Sequence, residues 1–175
     1  MLNKIIYLDN AATTRVSEKV VGEMEKFYSD NFGNPGSVHE LGERALEALN
    51  SARRKFALEI GCKADEIVFT SGSTESNNLA FFGLARSEIG KKRKKIIISA
   101  IEHSSVFEIC NALKKEGFKI IEIPVDNDGI LDIEKLKKEI DGETLLVSVM
   151  HVNYEIGVIQ DLREIVKLCY DWGVL

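Results

Sequence analysis

Three clusters of polar side chains contain the residue types that could do chemistry, and each follows a short apolar run. The clusters are Thr70–Asn78, Ser99–Ser104 and Met150–Glu155. If the apolar runs are parallel strands, their carboxyl ends lie at one edge of a sheet. Ligands of open α/β folds bind at that edge. The spacing therefore predicts that the three clusters lie close together there.

The first cluster has the pattern of an anion-binding site. Gly72 leads through Ser73 and Thr74 into a segment of helical spacing, and the N–H groups at a helix N-terminus attract phosphate. Ser and Thr are also ordinary helix caps, so these residues alone leave both interpretations open. The sequence has neither a Gly-Lys-Ser/Thr phosphate loop nor a Gly-x-Gly-x-x-Gly fingerprint, which disfavours ATP and dinucleotide binding.

His103 is the candidate for proton transfer, because it lies between Glu102 and Ser104 just past an apolar run. It could lie flat against a planar cofactor, carry a proton, or cap the next helix, and the sequence around it does not separate these roles. We interpret His39 and His151 as structural. No two histidines have the spacing of a metal site, so no metal ligand is expected.

The elements that position these clusters follow from the hydrophobic pattern. Runs that are apolar on both faces are typical of a parallel sheet covered by helices on each side. Segments of helical spacing separate the runs, so we predict an α/β fold with three layers, α/β/α, and a largely parallel sheet. The predicted strands are Ile67–Phe69, Ile96–Ile98, Ile120–Ile123 and Leu145–Val149.

Capping residues and glycines indicate the helix ends. One predicted helix begins with a capping box of Ser105 and Glu108 and ends at Gly117. Val174 and Leu175, after the last helix, are interpreted as the start of a further strand. The other predicted helices cover Val20–Phe27, Leu41–Ile60, Ile133–Ile140 and Leu162–Trp172.

Composition limits the class of protein. Of the 175 residues, 45% are hydrophobic and 29% charged, which is typical of an ordinary globular domain. A net charge of −5 argues against nucleic-acid binding. The apolar runs are too short for a signal sequence or a membrane span, so we expect a cytoplasmic protein without a membrane partner. Cys62, Cys110 and Cys169 are expected to be free thiols, the last two in the core.

Five motifs are spread along most of the chain. They are Tyr7–Thr14, Phe32–His39, Phe69–Ala80, Glu102–His103 and His151–Gly157. In order and spacing, they resemble the N-terminal part of the NifS/IscS-type cysteine desulfurases, which are class V enzymes that use pyridoxal 5′-phosphate (PLP). The resemblance implies the large domain of PLP fold type I, present here in incomplete form.

The resemblance also implies a reaction and a set of site residues. The family removes sulfur from L-cysteine, which leaves L-alanine and an enzyme-bound persulfide for iron–sulfur cluster or thiolated cofactor synthesis. Ser73 and Thr74 would bind the PLP phosphate, and His103 would stack on the pyridine ring and act as the catalytic residue in proton transfer. The implied substrate-binding residues are Asn10, Ala11 and Thr13.

One cofactor-binding position departs from the family. The family usually has two asparagines before the glutamate that corresponds to Glu155, and the second asparagine contacts the phenolic oxygen of PLP. In this chain the second position is Tyr154. A tyrosine hydroxyl can still donate or accept a hydrogen bond, so we expect Tyr154 to bind the cofactor by position.

These 175 residues do not contain several motifs of the family. The absent motifs carry the Schiff-base lysine, the persulfide cysteine and the aspartate that pairs with the ring nitrogen of PLP. We therefore expect the N-terminal portion of such an enzyme, inactive by itself. Residues 1–14 would belong to the small domain and residues 15–175 to the large domain. The implied partners are L-cysteine, a second copy in a homodimer or the missing C-terminal half, and a sulfur-acceptor or scaffold protein.

Two other functions remain open at this point. The chain could be a non-enzymatic, truncated relative of the desulfurases that acts by binding a partner. It could also belong to another class V PLP enzyme, such as a selenocysteine lyase. The sequence discriminates poorly between these enzymes, because the residues that choose the substrate in this family mostly follow the segment that corresponds to residues 1–175.

Overall fold

The structure is a computed structural model that describes residues 5–175. The chain divides into two compact units between Phe69 and Thr70. The first unit contains helices α1 (Glu18–Glu25) and α2 (Glu40–Ile60) and a 3-10 turn at Ala64–Glu66. The second unit contains, in chain order, α3 (Ser73–Arg86), α4 (Glu88–Lys92), β1 (Lys95–Ser99), α5 (Ser104–Lys115), β2 (Lys119–Ile123), α6 (Ile133–Glu139), β3 (Thr144–Ser148) and α7 (Leu162–Asp171).

In the first unit, a glycine-rich loop packs closely on the start of α2. A Cβ atom placed on Gly42 would lie 2.1 Å from the carbonyl oxygen of Ser37. His39 begins the helix, and its Nδ1 accepts a hydrogen bond from the N–H of Gly42 at 3.4 Å. Gly61 ends the helix at φ +74°, a conformation that glycine adopts without steric cost. The predicted bounds of this helix are confirmed.

The second unit is built on a parallel sheet. Within residues 5–175 the sheet has three strands in the order β2-β1-β3, and both pairings are parallel. Ile97 of β1 lies opposite Ile121 of β2 and Val147 of β3. Parallel strands require crossover connections. Helix α5 connects β1 to its neighbour β2, and α6 connects β2 to β3 on the other side of β1. The predicted strands at Ile96–Ile98, Ile120–Ile123 and Leu145–Val149 are therefore confirmed, each within one residue at its ends.

Helices cover both faces of this sheet. Side chains of a strand point alternately to its two faces, so Ile96 and Ile98 lie on one side and Ile97 on the other. Ile96 and Ile98 pack in a core with residues of α3 and α5, such as Phe81 and Leu113. The other core joins Ile97 to residues of α6 and α7. The predicted three-layer α/β/α arrangement is confirmed in this unit.

The strand predicted at Ile67–Phe69 is wrong for the described residues. Ile67 is extended, at φ −90° and ψ 124°, but the segment pairs with no strand of residues 5–175. An apolar run becomes a strand only when a neighbour satisfies its backbone groups. Instead, the ring of Phe69 lies edge-to-face on Phe56 of α2, with centroids 6.0 Å apart.

The start of α5 also differs from the prediction. The residue that begins this helix is His103, two positions before Ser105, because the His103 side chain accepts a hydrogen bond from the Ser105 N–H. Gly117 follows the end of the helix at φ +88°, as predicted. At the last helix, Asp161 is the cap of α7 and Gly173 lies just past it at φ +58°.

Val174 and Leu175 follow α7 and lie beside β3, in agreement with their interpretation as the start of a strand. The N–H of Val147 donates to the Leu175 carbonyl at 2.8 Å, and the Leu175 N–H donates to Leu145 at 3.4 Å. This is the pattern of a parallel pair. The helices of residues 5–175 include none that is both long enough and apolar enough to cross a membrane.

The three cysteines are free thiols. Cys110 lies in the core between α5 and the sheet, where burial raises its pKa to about 11. Cys169 is half-buried and packs against the other core, so its predicted core position is only partly met. Burial raises the pKa of Cys169 as well. Neither thiol has the lowered pKa of a nucleophilic cysteine.

Candidate functional site

The carboxyl ends of β1 and β3 are joined by one half-buried carboxylate. Glu102, just past β1, accepts hydrogen bonds from the Ser99 hydroxyl at 2.7 Å and from the Met150 N–H at 2.7 Å. The Ser148 hydroxyl at the end of β3 donates to the same carboxylate at 3.3 Å. The second and third polar clusters of the sequence therefore meet at one edge of the sheet.

Asn153 makes a second connection between these two loops. Its side-chain amide donates to the Ile101 carbonyl at 3.1 Å, and its side-chain oxygen accepts the N–H groups of Glu155 and Ile156 at 2.9 and 3.0 Å. Only 8% of the residue is exposed. The amide thus fixes the turn that carries Tyr154.

His103 and Tyr154 are brought side by side by this arrangement. Their ring centroids lie 5.7 Å apart, with the planes tilted by 56°. The Glu155 carboxylate beside the Tyr154 hydroxyl raises the pKa of that phenol. His103 also caps α5, so the capping role left open by the sequence is present in the structure. The cap uses Nδ1, at one edge of the His103 ring, and does not use the face of the ring.

The first cluster forms the turn and first residues of α3. The Glu75 carboxylate accepts the Ser71 hydroxyl and the Ser71 N–H, both at 2.6 Å, and these bonds hold the pKa of Glu75 below its usual range. Ser73 and Thr74 begin the helix and are exposed. Their N–H groups have no hydrogen-bond partner within residues 5–175, as expected for the first turn of a helix.

Thr74 and His103 line the same hollow in the second unit. The hollow has a volume of about 380 Å³ and lies along the first three turns of α3 and α5. Ser73 and Tyr154 are not among its lining residues. The lining residues are Thr74, Asn78, Phe82, His103, Ser104, Ser105, Glu108, Ile109 and Ala112.

The predicted substrate residues belong to the first unit. Asn10 and Ala11 form a turn in which the N–H groups of Ala12 and Thr13 donate to the Asp9 carbonyl at 3.2 and 3.4 Å. All three predicted residues, Asn10, Ala11 and Thr13, are exposed. Their role remains a prediction.

The sequence predicts structural roles for His39 and His151 and no metal ligand. His39 caps α2, and the side chain of His151 is exposed. Over residues 5–175, no group of three or more His, Cys, Asp and Glu side chains could hold a metal ion.

Several residues that hold this site together were not assigned a role from the sequence. Glu102 and Asn153 lie inside motifs, but their hydrogen bonds join residues that are 46 to 52 positions apart in the sequence. Asn77 of α3 donates to the Ser105 hydroxyl of α5 at 3.0 Å. The one local signal is that an asparagine often accepts hydrogen bonds from the backbone two or three residues ahead, as Asn153 does.

Comparison with known proteins agrees with this geometry. The profile of the family described as "Aminotransferase class-V" matches residues 6–175. The chain belongs to the class V aminotransferases. A cysteine desulfurase IscS from Dictyoglomus turgidum is 43% identical over 173 residues, which are 99% of this chain and 44% of that protein. The chain therefore spans less than half the length of this relative, and the similarity to cysteine desulfurases concerns their N-terminal half.

Solved structures show the same relationship. A NifS-like protein superposes with a TM-score of 0.89 at 38% identity, over 94% of this chain and 45% of that one. A structure described as SspA in complex with cysteine gives a TM-score of 0.88 at 34% identity, over 94% and 47% of the two chains. The second unit is thus part of a PLP fold-type I large domain, and the predicted fold class and family are both confirmed.

Proposed function

We propose that this class V aminotransferase chain is part of a PLP-dependent cysteine desulfurase. In the proposed reaction L-cysteine gives L-alanine, and its sulfur passes to a cysteine thiol of the enzyme, which becomes a persulfide. The observation that carries the proposal is the 43% identity to a cysteine desulfurase along 99% of this chain. A related structure described as bound to cysteine supports the same substrate.

The second unit has groups that suit PLP, the cofactor of this family. The unpaired N–H groups of Ser73 and Thr74 and their hydroxyls can donate to a phosphate at the α3 N-terminus. Thr74 shares its hollow with His103, whose ring face can lie against a flat ligand. Bound PLP would supply an electron sink for the substrate carbanion. The role of this chain is to hold the phosphate and orient the ring.

The Tyr154 ring lies beside His103. The Tyr154 hydroxyl can donate a hydrogen bond to the phenolic oxygen of PLP. We propose that Tyr154 does so where the related enzymes have asparagine. Asn10, Ala11 and Thr13 are proposed to contact substrate. Of the domains, residues 1–14 are proposed to belong to a small domain and residues 15–175 to the large one.

Other parts of the proposal rest on the family resemblance. They are a homodimeric enzyme, a cytoplasmic location, and delivery of sulfur to an acceptor or scaffold protein for iron–sulfur clusters or thiolated cofactors. The desulfurase names of the relatives favour cysteine over selenocysteine as substrate. A side-by-side assay with the two amino acids tests that preference.

The test uses the full-length polypeptide that contains these residues. We expect L-alanine to form from L-cysteine when PLP and a reducing thiol are present. Replacement of Thr74 by Ala removes one hydroxyl donor, so half-saturation with PLP, followed by absorbance, should need about tenfold more cofactor. Ser51→Ala, in α2, is the matched loss of a hydroxyl and should change nothing.

Failure of the folded, full-length polypeptide to form alanine at any PLP concentration would overturn the proposed reaction. Equal PLP affinity in the wild type and the Thr74→Ala variant would overturn the role of Thr74. Turnover of selenocysteine without turnover of cysteine would support the selenocysteine lyase instead.

A further inference from the structure

The hydrogen bonds of His103 decide where its ring carries a proton. The N–H of Ser105 donates to Nδ1 of His103 at 3.1 Å. A backbone N–H can only donate, so Nδ1 must present a lone pair. A neutral imidazole carries one proton, and that proton must then be on Nε2. No hydrogen bond of Nε2 is present within residues 5–175, so this N–H is available to a ligand.

A second donor reinforces this state of the ring. The Ser105 hydroxyl lies 2.9 Å from the same Nδ1. Because Nδ1 is an acceptor, the hydroxyl can only donate to it, and the two donors of Ser105 then share its one lone pair. The side-chain amide of Asn77 donates to the Ser105 oxygen at 3.0 Å, so this oxygen acts as an acceptor toward α3 while its hydrogen stays available to the imidazole. Each bond in such a chain polarises the next one and strengthens it.

The chain of donors is built into the packing of two helices. Asn77 lies on α3 and Ser105 on α5, and only 9% of Ser105 is exposed. The contact therefore joins the helix that begins with Ser73 to the helix that begins after His103. Thr74 and His103 line the hollow from the starts of these two helices. The hydrogen bond from Asn77 to Ser105 therefore also links the positions of Thr74 and His103.

From these contacts, we infer that Ser105 and Asn77 are positioning residues that hold His103 in its Nε2–H tautomer, so that His103 meets a bound molecule as a hydrogen-bond donor. The inference about the ring stands on the geometry of residues 77–105. Its consequence for catalysis rests on the proposed function. In that reaction, His103 would first meet an oxygen or sulfur of the substrate as a hydrogen-bond donor through Nε2, and any proton transfer by His103 would start from this N–H.

The test is the tautomer of His103 in the full-length polypeptide, labelled with 15N-histidine. Long-range 1H–15N spectra at about pH 8.5, where imidazoles are neutral, distinguish Nδ1–H from Nε2–H. The signal is assigned by its loss in His103→Gln. We expect an Nε2–H pattern for His103. Exposed His151, which has no side-chain hydrogen bond within residues 5–175, is the internal reference for an unconstrained ring.

Variants separate a positioning role from general support of the fold. Ser105→Ala removes the hydroxyl donor and should raise the fraction of the Nδ1–H tautomer roughly fivefold, the effect of one neutral hydrogen bond. Asn77→Ala should shift the fraction in the same direction by less. Ser105→Thr retains a hydroxyl and should restore the wild-type pattern. Ser104→Ala, the exposed neighbour without a side-chain hydrogen bond, is the matched control.

An Nδ1–H pattern for His103 in the wild type would overturn the inference. So would a Ser105→Ala spectrum identical to that of Ser104→Ala. Alanine formation is measured separately on the same samples. If the spectra change as expected but no alanine forms from cysteine, the proposed function fails and the assignment of the tautomer stands.

Discussion

The carboxylate of Glu102 accepts the backbone N–H of Met150 at 2.7 Å. These residues are 48 positions apart in the sequence, and each follows a strand of the parallel sheet. The bond therefore holds the loop of His103 against the loop of Tyr154. Glu102 has no role in the sequence analysis beyond its place in a motif, yet its hydrogen bonds connect the two loops that carry these rings.

Replacement of Glu102 by Ala should lower the free energy of unfolding by about 1–3 kcal/mol, because it leaves the Met150 N–H and two serine hydroxyls without their acceptor. Urea titration of the full-length polypeptide measures the change. Glu143→Ala removes an exposed carboxylate with no side-chain hydrogen bond and is the control. Equal stability of the two variants would show that the hydrogen bonds of Glu102 do not stabilise the fold.

The ion pair between Lys95 and Asp141 gives a prediction about acid. Lys95 is almost completely buried, and its Nζ lies 2.5 Å from the carboxylate of half-exposed Asp141. The hydrogen bond from Lys95 holds the pKa of Asp141 below its usual range. The stabilisation is therefore present above the ordinary carboxyl range and is lost as the pH falls through the lowered pKa.

Accordingly, Asp141→Asn should lower the free energy of unfolding by about 1 kcal/mol at neutral pH, because solvent screens half-exposed Asp141, with a smaller loss in strong acid. Glu47→Gln breaks an exposed ion pair with Arg54 and should cost less than about 1 kcal/mol. Urea titrations at several pH values give both numbers. A difference between wild type and Asp141→Asn that does not shrink in acid would refute the assignment.

Cys110 should be the slowest of the three cysteines to react with an alkylating reagent. Burial raises its pKa to about 11, and only the thiolate reacts. Peptide mass spectrometry after timed labelling at pH 8 measures the rates, and half-buried Cys62 is the comparison. The folded state should also lose stability as the pH rises above the ordinary thiol range, because the unfolded thiol ionises first. Fast labelling of Cys110 in the folded protein would contradict its burial.

Two helix glycines should respond oppositely to alanine. A Cβ on Gly42 would collide with the Ser37 carbonyl, so Gly42→Ala should destabilise the protein by at least about 1 kcal/mol. Gly22, in α1, has no atom within 4 Å of such a Cβ, so Gly22→Ala should stabilise by up to about 1 kcal/mol. Thermal unfolding of both variants measures the contrast. A gain of stability in Gly42→Ala would show that the loop of Ser37 moves away.

Much of the second unit could be predicted from local patterns. The apolar runs of β1, β2 and β3 contain period-2 faces that two helical layers must cover, and glycines such as Gly117 end helices by their own conformational freedom. The segment Ile67–Phe69 has the same composition as these strands but finds no partner in the described residues. Residue types report that a segment is apolar, and they do not report which neighbour will pair with it.

Part of the candidate site could likewise be predicted from the sequence, and part could not. The three polar clusters and the candidates Thr74 and His103 follow from the rule that ligands bind at the ends of parallel strands. The contacts of Glu102, Asn153 and Asn77 could not be predicted, because each joins residues that only the completed fold brings together. The misplaced start of α5 has this origin too, since Ser and His can both cap a helix and the choice depends on their surroundings.

Strand β1 is buried along its whole length and lies at the centre of the sheet. Central strands exchange their amide hydrogens only when a large part of a protein opens, whereas loops and helix ends exchange through small local fluctuations. His103 is only four residues from Ser99 at the end of β1. Over this short distance the chain passes from a strand that we expect to exchange slowly to the first residue before a helix. The hydrogen bonds that orient the imidazole are therefore anchored next to the segment that is expected to open last.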